Sequence, residues 1–155
     1  MGNVKPVPEG MNTVTPVVAV EGASEFIDFC KRAFGAVEVA RAPDPSGKKV
    51  WHAQFRIGDS NVFTNDVDPS MGSVARPASL WLCVEDVEAS FKRAADAGAK
   101  VLMPPTDMFW GDRFGRVGDR WGNEWSLSQR IAEPTPEQMQ QAQDAFVAQM
   151  AQQRK

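Results

Sequence analysis

Apolar and polar positions run through the same cycle twice along this chain. Residues 12–66 and 79–130 each read as a strand, a helix and three further strands. In the first copy the β-branched run from Thr13 to Val20 predicts a strand. It leads into a helix whose Phe26, Ile27, Cys30, Ala33 and Phe34 share one face, with Ser24 placed to cap its start and Gly35 to end it. Val37 to Arg41 reads as the next strand and Pro43 to Gly47 as a turn. Beyond that turn the alternation puts Trp51, Ala53, Phe55 and Ile57 on a core face, and His52, Gln54 and Arg56 on a polar one. Asn61 to Asn65 completes the module.

In the second copy Ser79 to Val84 is the opening strand, and Val87, Phe91, Ala94 and Ala95 form the buried stripe of its helix. Lys100 to Met103 returns to the sheet ahead of Pro104-Pro105, Met108 to Gly115 reads as a connection, and Trp125 to Ser128 is the last strand. Parity along the strands sets Trp81 and Cys83 on one face with Glu124, Ser126 and Ser128, and sends Trp125 to the core. The divisions are an N-terminal segment at 1–11, modules at 12–66 and 79–130, a linker at 67–78 and a helical tail at 131–155. In that tail Thr135-Pro136 has the form of a cap and first helical turn, and Met139, Ala142, Phe146 and Met150 make a stripe suited to packing on the body or on a dimer partner.

The expected fold is therefore α+β: two tandem βαβββ modules forming a curved sheet that encloses a cleft, plus a C-terminal helix. A cleft is where small molecules bind. Composition narrows the partners. A net charge of −3, with no basic run longer than two residues, argues against nucleic acid. No apolar stretch approaches the roughly 20 residues that span a bilayer. The first residues lack the apolar run of a signal peptide, and the two cysteines lack metal-like spacing, so a reduced, cytoplasmic protein is expected.

His52 is the only histidine, so any imidazole acid–base chemistry falls to it, with Glu124 or Gln54 as its partner. The alternative is a hydrogen-bonded structural residue. Trp81, and Trp110 in the long connection, would offer flat surfaces to a planar or amphipathic ligand, with Asn12, Gln54, His52 and Glu124 as convergent polar groups. Arg113 is counted with the ligand-binding set, or else pairs with Asp112 to hold the loop. No phosphate-loop or nucleophile-elbow pattern is present.

Several segments carry a family resemblance: Ile27-Asp28-Phe29-Cys30-Lys31-Arg32-Ala33-Phe34-Gly35-Ala36, His52-Ala53-Gln54-Phe55-Arg56-Ile57-Gly58-Asp59, Met108-Phe109-Trp110-Gly111-Asp112-Arg113 and Trp121-Gly122-Asn123-Glu124-Trp125-Ser126-Leu127. In this order the chain resembles the vicinal oxygen chelate superfamily of glyoxalases, bleomycin-resistance proteins and extradiol dioxygenases, and within it the PhnB-like group. The resemblance spans about residues 8–132 and implies a dimer. It also implies where metal-using members place their ligands: at Asn12, Ser79 and Ser126, with a fourth near Thr64. None of these is an imidazole, thiolate or carboxylate, so no metal cofactor is expected. A divalent metal held with help from His52 and Glu124 is the alternative. The function these features imply is metal-independent binding of a small organic molecule, with Ser79 and Ser126 as polar contacts. The competing expectation is a glyoxalase-like lyase or isomerase using His52, and a third is an accessory protein acting through its C-terminal helix.

Overall fold

Both cycles of the pattern become βαβββ modules in the computed structural model, which describes residues 4–153. The readings of the N-terminal segment and of the tail include residues 1–3 and 154–155, which lie outside the described residues. The first unit, through Ala78, contains β1 (Val17–Val20), α1 (Ala23–Phe34), β2 (Val37–Pro43), β3 (Val50–Ile57) and β4 (Ser60–Asp66). The second, from Ser79, contains β5 (Ser79–Cys83), α2 (Val87–Asp96), β6 (Lys100–Asp107), β7 (Asp112–Gly118), β8 (Glu124–Arg130) and α3 (Pro136–Gln153). The sheets have matching order, β1-β4-β3-β2 and β5-β8-β7-β6. In each, the opening strand pairs parallel to the last strand and the other neighbours are antiparallel. Among the described residues, no helix is long and apolar enough to cross a membrane.

One helix covers one face of each sheet. Phe26, Ile27, Cys30 and Ala33 of α1 are buried with Val18, Val20, Ala53, Phe55 and Val62 of the strands, and Phe26 meets Phe55 edge-on at 6.1 Å. In the second unit Val87 and Ala94 of α2 are buried along with Val117, Trp125 and Leu127. Full burial of such large side chains contributes about 1.5–3 kcal/mol apiece. Gly115 leaves space on β7 for the Phe91 ring, which would lie 3.1 Å from any added Cβ.

Several local expectations change. The first strand starts at Val17 rather than Thr13. Ser24 does not cap α1: the cap position is Gly22, in the left-handed region, and its amide and that of Ala23 donate to Asp66 Oδ1 at 2.8 and 3.0 Å. Ser24 Oγ instead accepts from Arg41 Nη1. Trp51 leaves the core face and is 52% exposed. Val50 pairs with Pro43 and His52 with Ala42, so Trp51 is the extra residue of a β-bulge and Val50 turns inward in its place. β6 runs on through Pro104-Pro105, with register shifts on either side of Met103. It lies at the sheet's edge, where a strand tolerates proline. The connection ends sooner than expected, because Asp112 to Gly118 is strand. The cap of α3 is as the sequence indicates: Thr135 Oγ1 accepts from the Gln138 amide and Gln138 Oε1 from the Thr135 amide.

Candidate functional site

In the second unit the sheet face turned away from α2 combines aromatic surface with polar groups. Register fixes its rows. Trp81 of β5 pairs with Ser126 of β8, which pairs with Arg116 of β7. The adjacent row is Cys83, Ser128 and Phe114, and the row on the other side begins with Ser79 and Glu124. Side chains in such rows point to one face.

The Trp81 indole stacks on the Phe114 ring, with centroids 4.8 Å apart and planes 26° from parallel, yet stays 53% exposed. One side of the indole is thus covered and much of the rest is open. Trp110 meets Phe114 edge-on at 5.9 Å. Its Nε1 donates to Asp112 Oδ2, which also accepts from Ser128 Oγ at 2.7 Å. Arg130 lies with its Nε 3.1 Å from Asp112 Oδ1, an ion pair outside hydrogen-bond geometry, and donates from Nη1 to the Trp110 carbonyl. The buried Asp112 carboxylate therefore ties the Trp110 side chain to the sheet.

Two donors lie across from Trp81. Ser126 is 93% buried (7% exposed), and its hydroxyl has no hydrogen-bond partner among the described residues. Among the described residues Arg116 donates once, from Nη1 to Glu124 Oε2 at 3.3 Å, which leaves most of its five N–H groups without a partner there.

Among the expected site residues, the second unit brings together Ser79, Trp81, Glu124 and Ser126 by register, with Trp110 at one end through Phe114. It sets Arg113 apart. That side chain points to the helix-covered side, where it donates to Asp107 Oδ1 and to Glu88 Oε1 of α2, and these carboxylates, Asp107 first, raise its pKa. Asp112 pairs with Arg130, so the expected Arg113–Asp112 pair does not form.

In the first unit, His52 is exposed and meets Phe63 edge-on at 4.7 Å, and its imidazole makes no hydrogen bond among the described residues. Gln54 spends its amide on Asn61 Oδ1 at 2.9 Å, and Asn61 holds the Gly10 carbonyl. Asn12 is exposed. Thr64 faces the core and donates to the Val18 carbonyl, so the open-face neighbours on β4 are Phe63 and Asn65. Reading the sequence missed Phe114, Arg116 and the Asp112 anchor. Their signal was the alternation of Asp112, Phe114 and Arg116 against Arg113, Gly115 and Val117, hidden while Met108 to Gly115 was read as a connection.

The positions where the family resemblance would place metal ligands carry donors that suit a transition metal poorly. Asn12, Ser79 and Ser126 carry only amide and hydroxyl groups. Among the described residues, no three His, Cys, Asp or Glu side chains cluster as a metal site requires.

The tandem βαβββ modules and this aromatic, polar-lined face define a class of protein, and comparison names it. Residues 11–127 match the Glyoxalase/Bleomycin resistance protein/Dioxygenase superfamily, and the chain belongs to that family. An uncharacterized protein of Mycobacterium tuberculosis (strain ATCC 25618 / H37Rv) is 41% identical over 138 residues, covering 83% of this chain and 81% of its own. Among solved structures, TioX from Micromonospora sp. ML1 is similar at a TM-score of 0.64 and 26% identity, covering 76% of this chain and 99% of its own. The PhnB protein from Bacillus cereus shares the fold at a TM-score of 0.61 and 21% identity, covering 76% of this chain and 99% of its own. The superfamily joins enzymes with drug-binding proteins, so membership bounds the function without choosing between them.

Proposed function

We propose that this protein binds a small planar or amphipathic organic molecule on the open face of its second module, without a metal and as a cytoplasmic homodimer. The observation that carries this reading is Trp81, stacked on Phe114 but half exposed. A large aromatic left open on a sheet gains by covering its free surface, and a flat ring does so at favourable stacking distance. Neighbouring strands lie about 5 Å apart, so a ring on Trp81 carries its substituents over Ser126 and then Arg116. Both are donors. The favoured ligand is an aromatic compound bearing a carbonyl or carboxylate, its oxygen received by Ser126 Oγ and the free Arg116 N–H groups.

Titration of tryptophan fluorescence with 2-naphthoate tests this. The wild-type protein is expected to be quenched saturably. Trp81→Ala should weaken binding by about tenfold or more, and Arg116→Met should reduce the preference for 2-naphthoate over 2-naphthol. Unchanged affinity in Trp81→Ala removes Trp81 from the site.

A second reading, a lyase or isomerase using His52 for proton transfer, is favoured by that imidazole's exposure and its lack of a hydrogen-bond partner among the described residues. If a substrate is turned over and His52→Ala leaves the rate intact, that reading fails.

A further inference from the structure

The C-terminal helix lies outside the stretch that matches the family, which ends at residue 127, yet it reaches the binding face through an unbroken line of rings. Phe146 of α3 meets Phe109 at 5.5 Å, Phe109 meets Trp110 edge-on at 5.1 Å, Trp110 meets Phe114 at 5.9 Å, and Phe114 is the ring beneath Trp81. A second set of contacts fastens the lead-in to the same turn. The amides of Ile131 and Ala132 both donate to the Gly111 carbonyl at 3.0 Å, and Arg130 donates to the Trp110 carbonyl. Gly111 has a φ of 94°, and a Cβ there would collide with the Ala132 carbonyl and lie 2.8 Å from Pro134 Cδ, so the approach is as close as a backbone allows. Apart from this seam α3 is little engaged: none of its residues is buried, and Val147 and Met150 are 59% and 41% exposed.

We propose that α3 is a positioning element for the binding face, with Phe146 acting through Phe109 to hold Trp110 edge-on against Phe114. This rests on the reading that Trp81 and its neighbours bind the ligand. Among the described residues, the Trp110 side chain reaches the sheet through one ring contact and one indole N–H bond to Asp112. Without Phe146 behind it, the turn carrying Phe109 and Trp110 loses the ring that fixes its side chains, and the backbone bonds that close it, Gly111 N–H to the Met108 carbonyl and Met108 N–H to the Asp112 carbonyl, open more often. Trp110 then samples other rotamers, and a ligand must restore the arrangement on binding, at a cost in affinity. Phe109 and Phe146 are positioning residues, since neither belongs to the strand rows that carry Trp81 and each acts through the next ring in the line.

The test uses the full chain and 2-naphthoate. Phe146→Ala should weaken binding about three- to tenfold, the range that one aromatic contact supplies, and Phe146→Tyr should restore it. In a Trp110→Ala background, Phe146→Ala should have no further effect, because the route through Trp110 is already gone. Equal affinity in Phe146→Ala and wild type, or an undiminished loss in the Trp110→Ala background, overturns the proposal. Hydrogen exchange without ligand gives an independent readout: the Met108 and Gly111 amides, which close the turn, should exchange several-fold faster in Phe146→Ala, while those of β4 are unchanged. Unchanged exchange at Met108 and Gly111 also overturns it. If wild-type protein does not bind 2-naphthoate, the binding reading fails, and exchange alone decides whether α3 positions the turn.

Discussion

Asp66 takes the Val50 amide on its Oδ2 at 2.7 Å, and this one bond reorganises the first sheet. It draws Val50 inward at the start of β3, where the bulge makes Trp51 the extra residue and turns it outward. The other oxygen of the same carboxylate accepts the two amides that begin α1. The second unit has a lighter version, in which Gln129 Oε1 near the end of β8 accepts the first amide of α2. Asp66→Ala leaves three partly buried amides without their acceptor. We expect it to destabilise the protein by about 2–4 kcal/mol, from a lost cap and charge-assisted bonds. Asp66→Asn, which keeps one acceptor, should lose about half as much. Urea denaturation checks both, and a loss under about 0.5 kcal/mol, the level of an ordinary surface substitution, contradicts this role.

That bond also explains why the fold was legible in the sequence while parts of the site were not. Helical spacing in Phe26-Ile27…Cys30…Ala33 and strand alternation in Ala53-Gln54-Phe55 are local patterns, and each became the expected element. Ser79, Trp81 and Ser126 came to one face because strand parity is also local. The Trp51 bulge depends on a carboxylate 16 residues from Val50, and no alternation rule contains it. Arg113 failed similarly: its nearest acidic neighbour in sequence is Asp112, but a strand sends adjacent residues to opposite faces. Asp107, its pairing partner on β6, and Glu88, 25 positions earlier on α2, are what it meets.

Gly111→Ala tests the seam between the tail and the Trp110 turn. The substitution combines a left-handed backbone with a collision against Ala132 and Pro134. We expect a destabilisation of about 2–3 kcal/mol, as strain and overpacking act together. Released turn residues should also show faster exchange at the Ile131 and Ala132 amides. Thermal melting and hydrogen exchange measure the two effects separately.

Glu38 predicts an acid-dependent loss of stability. Its carboxylate accepts from Arg41 at 2.7 Å and from Lys31 of α1 at 2.7 Å, and these bonds, Arg41 first, hold its pKa below the ordinary value. A carboxyl group with a lowered pKa in the folded state stabilises at neutral pH, and that contribution is lost as pH falls through the lowered value. Glu38→Gln should therefore cost about 0.5–1 kcal/mol at pH 7, an amount reduced by partial exposure and by salt. The gap to wild type should narrow below the usual Glu pKa of about 4.3 and close once the native carboxyl is protonated. Urea titrations from pH 7 to pH 3 read this directly. A gap independent of pH means that packing, not charge, is responsible.

Metal removal separates the binding reading from the catalysis of metal-using relatives. Asn12, Ser79 and Ser126 offer neutral oxygen and nitrogen donors that a transition ion binds weakly, while Glu124 already pairs with Arg116. The protein should therefore purify without a stoichiometric transition metal. Treatment with EDTA should leave both its melting temperature and its 2-naphthoate affinity unchanged. Added zinc at about 100 μM should not raise the melting temperature, because only an ion that binds the folded state tightly stabilises it by mass action. One Zn, Ni, Mn or Fe per chain that is lost in His52→Ala would overturn this. It would make the only imidazole a ligand, and shift the functional reading from a ring held on Trp81 to chemistry at a metal.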